Sequence, residues 1–286
     1  MAVDVAGQRL FVAALGNNTV EVVDLKEGKR IQSLSGFAEP QGVVYVPEFD
    51  KLIVANGADG TCRILDGRSF KIVATVQLGE DADNVRYDKK DKLVYVGYGD
   101  GALTAIDAKT GAKVADIKLA AHPESFRLEA NSPRIFVNVP GADQIAVVDR
   151  EKKAVIETWP LKDAKGNFPM FLDESNHRLF VGCRRPARLL VLDTANGKTV
   201  SDMKISGDTD DLFYDATSKQ IYASCGAGFI DLIQQKDADS YELRERIPTV
   251  SGARTSFFSP ELGRLYLAVR AGIIVGGAEI RVFQPQ

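Results

Sequence analysis

Short runs in which apolar and polar residues alternate follow one another along the whole chain, separated by turns rich in Gly, Asp, Asn and Lys. This is the period of half-buried β-strands, and no stretch carries the i, i+3, i+4, i+7 spacing of a long helix. One strand-like phrase recurs seven times: RLFVAA from Arg9, KLIVAN from Lys51, KLVYVG from Lys92, RIFVNV from Arg134, RLFVGC from Arg178, QIYASC from Gln220 and RLYLAV from Arg264. The second residues of these phrases, Leu10, Leu52, Leu93, Ile135, Leu179, Ile221 and Leu265, stand 41 to 44 residues apart. A second β-rich phrase follows each copy. In five copies it ends in an acid (Asp24, Asp66, Asp107, Asp149, Asp193), and in the last two it carries Gln234 and Gln284 there. A turn, a third run such as Arg30 to Leu34 or Lys113 to Leu119, a loop and a fourth run such as GVVYV from Gly42 or NVRYD from Asn84 complete the unit.

Four short antiparallel strands repeated at this period are the signature of a β-propeller, since one blade cannot cover its own apolar faces and must stack on neighbours. The expected architecture is all-β: a seven-bladed β-propeller of four-stranded blades, forming a single domain over residues 1–286. The chain opens with MAVDV, which matches an innermost strand, and closes with AEIRVFQ, which matches a third strand, so the last blade is expected to have three strands and the chain 27. From this imbalance a segment upstream of Met1 is expected to carry the missing strand, together with an export signal.

Lys+Arg 36 against Asp+Glu 39 leaves a net charge of -3, which argues against a nucleic-acid partner. No apolar run approaches the ~20 residues that span a bilayer, so no membrane span is expected. The first ten residues hold an acid and no signal-peptide core. Cys62, Cys183 and Cys225 are too few and too widely spaced for a disulfide framework or a metal knuckle, and are expected as free thiols.

The recurring RLFV…NNTVEVVDLKEGK phrase resembles the YVTN-repeat β-propellers of bacteria, which in turn resemble the propellers of quinoprotein dehydrogenases. The resemblance covers essentially the whole chain. It implies a seven-bladed propeller and a periplasmic or extracellular location. The Trp-Asp repeats fit less well, since Trp159 is the chain's one tryptophan. Asp107-Ala-Lys-Thr-Gly111 and Asp193-Thr-Ala-Asn-Gly197 resemble the blade turn of the quinone-binding propellers, without the Trp that follows it there.

Gly197-Lys198-Thr199 lacks the preceding Gly of a phosphate-binding loop and reads as a hairpin turn. No serine-hydrolase elbow, zincin helix or EF-hand loop occurs. The Asp that closes the third strands repeats from blade to blade, which points to a structural role in which its carboxylate accepts hydrogen bonds from the N–H groups of the next turn. The turns Asp88-Lys-Lys-Asp91 and Asn176-His177 read as solvated.

The loops that enter the innermost strands differ between blades, as a site requires. They read Glu39-Pro-Gln41, Asp81-Ala-Asp83-Asn84, His122-Pro-Glu124-Ser125, Phe168-Pro-Met170, Asp208-Thr-Asp210-Asp211 and Gly252-Ala-Arg254-Thr255. The Cys183-Arg184-Arg185-Pro-Ala-Arg188 turn is expected on the same side. Glu39, Gln41, Asn84, Arg184 and Arg254 are the candidate ligand contacts, and Asp83, Glu124 and Asp210 the candidate ligands of a divalent metal ion, the only cofactor suggested. A hydrated polar rim, or ion pairs internal to it, is the competing reading. The expected function is a binding scaffold whose polar, carboxylate-rich mouth receives a small molecule, a metal ion or a protein partner. The alternative is a metal-dependent hydrolase resembling the propeller lactonases, with His122 or Asp211 as general base.

Overall fold

The computed structural model describes residues 1–272 and 276–284. It contains seven antiparallel sheets, each with its strands in chain order, six of four strands and the last of three. Blade 1 comprises Ala2–Asp4, Arg9–Ala14, Thr19–Asp24 and Lys29–Leu34; blade 2, Pro40–Val46, Lys51–Asn56, Thr61–Asp66 and Ile72–Gln77; blade 3, Val85–Asp88, Leu93–Tyr98, Ala102–Asp107 and Lys113–Lys118. Blade 4 comprises Phe126–Leu128, Arg134–Val139, Gln144–Asp149 and Ala154–Pro160; blade 5, Lys165–Asp173, Arg178–Arg185, Ala187–Asp193 and Thr199–Lys204. Blade 6 comprises Thr209–Asp215, Gln220–Cys225, Phe229–Gln235 and Tyr241–Pro248, and blade 7 Ser256–Ser259, Arg264–Val269 and Glu279–Phe283. Among the described residues the only helical pieces are the 3₁₀ turns Leu15–Asn17 and Pro140–Ala142. The chain is thus all-β with almost no helix, and the three-stranded last blade is as the strand phrases lead one to expect.

By contacts the chain divides into two compact units: 1–124 with 130–134 and 148–156, and 125–129 with 135–147 and 157–286. In the first, Phe11, Val20 and Val22 of blade 1 pack on Leu52, Val54 and Leu65 of blade 2. The other face of blade 2, through Ile53, Cys62 and Ile64, packs on Val85, Val94 and Ile106 of blade 3. In the second unit Ile145, Val147 and Trp159 meet Leu179 and Val181 of blade 5, Phe180 and Val191 meet Leu212 and Ile221 of blade 6, and Tyr222 and Ile230 meet Phe258 and Leu265 of blade 7.

Burial falls from the middle of a blade outward. The second strands are apolar on both faces because both are covered, whereas a fourth strand such as Lys29–Leu34 exposes every residue but its last. Between third and fourth strands the register slips at one equivalent place in five blades, between Val22 and Val23, Ile64 and Leu65, Ala105 and Ile106, Val191 and Leu192, and Leu232 and Ile233. Such a bulge bends the outer strand and raises its twist.

The phrase markers differ in depth. Leu10, Leu52, Ile135, Leu179 and Ile221 are fully buried, while Leu93 is half-buried. We therefore expect Ile135→Ala to cost about 2 to 5 kcal/mol and Leu93→Ala clearly less, because its site is partly open to water. Denaturant titration of both variants checks this, and an equal loss would contradict it.

The strand-closing acids do what their repetition implies. Asp24 accepts from the backbone N–H of Lys26 and Glu27, Asp66 from Arg68 and Ser69, Asp107 from Lys109 and Thr110, Asp149 from Glu151 and Lys152, and Asp193 from Ala195. These donors hold the carboxyls of Asp24, Asp66, Asp107 and Asp149 below the ordinary range. The Asp88 turn departs from expectation. Asp88 is not solvated: its side chain is 5% exposed and paired with Arg150. The three cysteines are free and buried, and burial pushes each thiol up to about 12.

Candidate functional site

The sequence candidates fall into one group per unit. In the first, Gln41 leaves the innermost strand of blade 2 and donates to Asp81 Oδ1 at 3.0 Å. The other oxygen of Asp81 stands 3.6 Å from His122 Nδ1, which lies 2.7 Å from the carbonyl oxygen of Gly99. Asp81, which is not among the sequence candidates, is thus the residue that joins Gln41 to His122. Glu39 is exposed, has φ 52, and its backbone N–H donates to Asn18 Oδ1 at 2.8 Å. Asn84 donates to Asp83 Oδ2 at 3.1 Å and accepts from Arg86 at 3.3 Å. Asp83 is positioned by a close approach of two backbones, because a Cβ on Gly42 would collide with its carbonyl oxygen. Only glycine lets the innermost strand of blade 2 meet the loop that enters blade 3 there. Glu124 is half-buried in the loop that enters blade 4.

The second unit holds the more connected group. Arg184, at the end of the second strand of blade 5, donates through Nε to the carbonyl oxygen of Thr209 at 2.9 Å and through Nη2 to Asp210 Oδ1. Its Nε is also 3.5 Å from Asp208 Oδ1. Arg254 reaches both oxygens of Asp208 at 2.6 Å, and its Nε is 3.5 Å from Asp210 Oδ2. Two guanidiniums and two carboxylates therefore alternate around a closed square, neutral overall, drawn from blade 5, the blade 6 entry and the blade 7 entry. The Arg184 guanidinium lies over the Phe168 ring, 3.6 Å from its centroid, a stacking that suits its planar cation. Burial pushes the Asp210 carboxyl above its ordinary range, against the pull of Arg254 and Arg184 and with a further rise from Asp208.

Asp211 points elsewhere: its Oδ2 accepts from the backbone N–H of Ser256 at 2.7 Å and so ties blade 6 to blade 7. Arg185 is exposed beside Arg184. Among the described residues, no group of three or more His, Cys, Asp or Glu side chains has the geometry of a metal site. Two grooves of the second unit are lined by other residues, one by Gln234, Lys236 and Arg244, the other by Leu161, Lys162 and Lys198. The sequence places Asp208 in the same entry loop as Asp210 and Asp211 but offers no reason to choose it as the fourth corner, since nothing local separates it from its two acidic neighbours.

No family model matches the chain and no curated protein matches it. Among solved structures it is similar to hydrazine synthase of Kuenenia stuttgartiensis, with TM-score 0.85 and 16% identity over 99% of this chain and 94% of that one. It is also similar to a chain of the mitotic checkpoint complex, with TM-score 0.82 and 12% identity over 97% of this chain and 84% of that one. At such identities the likeness concerns the fold alone: this chain is a seven-bladed β-propeller.

Proposed function

We propose that this propeller is a non-catalytic binding module that receives a small zwitterionic molecule at the square of Arg184, Asp208, Asp210 and Arg254. The observation that carries this reading is the alternation of charge around that square. A ligand with an ammonium and a carboxylate exchanges one internal pair for two external ones, so charges that are desolvated remain paired. Phe168 beneath Arg184 pre-orders one guanidinium and lowers the entropic cost of using it. The hydrolase alternative has less support, since Asp211 is engaged by the Ser256 N–H and Asp210 lies between two arginines.

Calorimetric titration with a panel of free amino acids, and separately with calcium, manganese and zinc chlorides, distinguishes the two readings. We expect saturable binding of an amino acid, weakened by Arg254→Gln roughly tenfold or more through loss of a charge-assisted contact. Heat from a metal ion that disappears in Asp83→Asn or Glu124→Gln, with none from amino acids, would transfer the site to the hydrolase reading.

A further inference from the structure

The square of Arg184, Asp208, Asp210 and Arg254 has an apolar counterpart on the same blades. Phe168 under Arg184, Asp210 and Arg254 each precede a phenylalanine by three residues: Phe171, Phe213 and Phe257. These three stand at one level of the ladders, because each lies opposite the third residue of its blade's recurring phrase, Phe180, Tyr222 and Tyr266. At the same level the other four innermost strands carry Ala2, Val44, Tyr87 and Arg127. The repeat itself therefore asks for no aromatic ring there. Phenylalanine fills the position only in blades 5, 6 and 7, the blades from which the square is drawn.

The three rings form a row. The centroids of Phe171 and Phe213 are 6.4 Å apart and those of Phe213 and Phe257 6.0 Å, the latter pair edge-on at 73°, which are separations at which aromatic rings attract. At one end the Arg127 guanidinium lies 4.7 Å from the Phe171 centroid, its Nε donating to the carbonyl oxygen of Met170 at 3.0 Å. All three rings are only half-buried, whereas Met170, Leu212 and Phe258 beside them in the chain are buried. Blades 5 to 7 thus leave aromatic surface in water one level along from a set of paired charges, and an apolar group laid on that surface removes it from water.

We infer that the ligand of the square is an amino acid with an aromatic side chain, whose ammonium and carboxylate engage the charges while its ring joins the row of Phe171, Phe213 and Phe257. This rests on the reading of the square as a zwitterion site and names the ligand class that the site selects. The lengths agree. Three residues of strand span roughly 10 Å, and rings pack at centroid separations of about 4.5 to 7 Å, so a ring one methylene away from its charged head reaches the row, whereas the methyl of alanine stops short. The rings of the row already hold one another in place, so little side-chain freedom is lost when a fourth ring is added.

Calorimetric titration of the whole protein with L-phenylalanine and with L-alanine tests this. Phenylalanine should bind at least about tenfold more tightly than alanine. Phe213→Leu, at the centre of the row, should bring that ratio down to about threefold or less, while a general disturbance of the fold would weaken both ligands alike and leave the ratio where it was. Phe257→Leu, at the end of the row, should lower the ratio in the same direction and serves in its place if Phe213→Leu does not fold. Arg254→Gln should instead weaken both amino acids and keep their ratio. Equal affinities for the two amino acids, or a ratio that neither phenylalanine variant lowers, would overturn the inference and leave the zwitterion reading of the square standing. Binding of neither amino acid would overturn both.

Discussion

Arg150→Met should lower the unfolding free energy by about 3 to 5 kcal/mol, because it strands a carboxylate that the fold has removed from water. The Arg150 and Asp88 side chains are 4% and 5% exposed and paired, and Arg150 also donates to the carbonyl oxygens of Ser132 and, at 3.3 Å, Pro133. One guanidinium thereby joins the end of blade 3's innermost strand to two loop carbonyls ahead of blade 4's second strand. Asp88 keeps donors of its own, the backbone N–H groups of Lys90 at 3.0 Å and Asp91 at 3.4 Å, but these do not supply a positive charge. At pH 7 the variant must bury an unpaired anion or open the turn to hydrate it. Asp88→Asn strands the Arg150 cation instead but should cost less, since the guanidinium keeps the carbonyl oxygens of Ser132 and Pro133 and an amide oxygen that still accepts from it. Urea titration of the two variants checks the order, and a loss below about 1 kcal/mol for Arg150→Met would show that water reaches the pair.

That pair also marks where sequence reasoning ends. The fold was legible because it is periodic: seven copies of one phrase, a turn Asp in five of them and a count of strands at the two ends are all local features, and local features survive in one dimension. Asp88 and Arg150 belong to two ordinary charged turns 62 residues apart, and only the stacking of blades brings them together. The same holds at the candidate site. Arg184, Asp210 and Arg254 can be nominated because loops that enter inner strands share a side, yet their mutual pairing depends on side-chain reach across three blades. Asp211 shows the converse. It has the same charge and loop as Asp210, but the alternation of a strand turns it toward the Ser256 N–H, and one residue of register separates a corner of the ion-pair square from a structural tie. Gly42 reads as a commonplace glycine in a strand until the Asp83 carbonyl is seen against it.

Phe180→Ala should be equally costly, about 3 to 5 kcal/mol, and should leave a spectroscopic trace. Phe180 is fully buried in the second strand of blade 5, with its ring 5.5 Å from that of Tyr214 and 5.6 Å from that of Tyr241 in an edge-on contact. Above these rings lies a polar network: the Tyr214 hydroxyl donates to Gln235 Oε1 at 2.5 Å, Gln235 donates to Asp173 at 3.2 Å and to the Tyr241 hydroxyl at 3.3 Å, and Tyr241 donates to the carbonyl oxygen of Ala238 at 2.6 Å. Burial pushes both phenols up to about 12. A phenol whose folded value lies above its unfolded value of about 10 stabilises the fold fully below pH 10, and that contribution fades as pH rises toward 12. In the wild type these two tyrosines should therefore ionise late, and stability should fall across that window. Removing the Phe180 ring opens a cavity beneath both phenols and admits water, so Phe180→Ala should shift part of the absorbance change at 295 nm toward pH 10 and flatten the alkaline loss of stability, while Phe180→Leu, which refills much of the space, should do both to a smaller extent. An unchanged titration curve in a destabilised Phe180→Ala variant would mean that the network, not the aromatic packing, keeps the phenols dry.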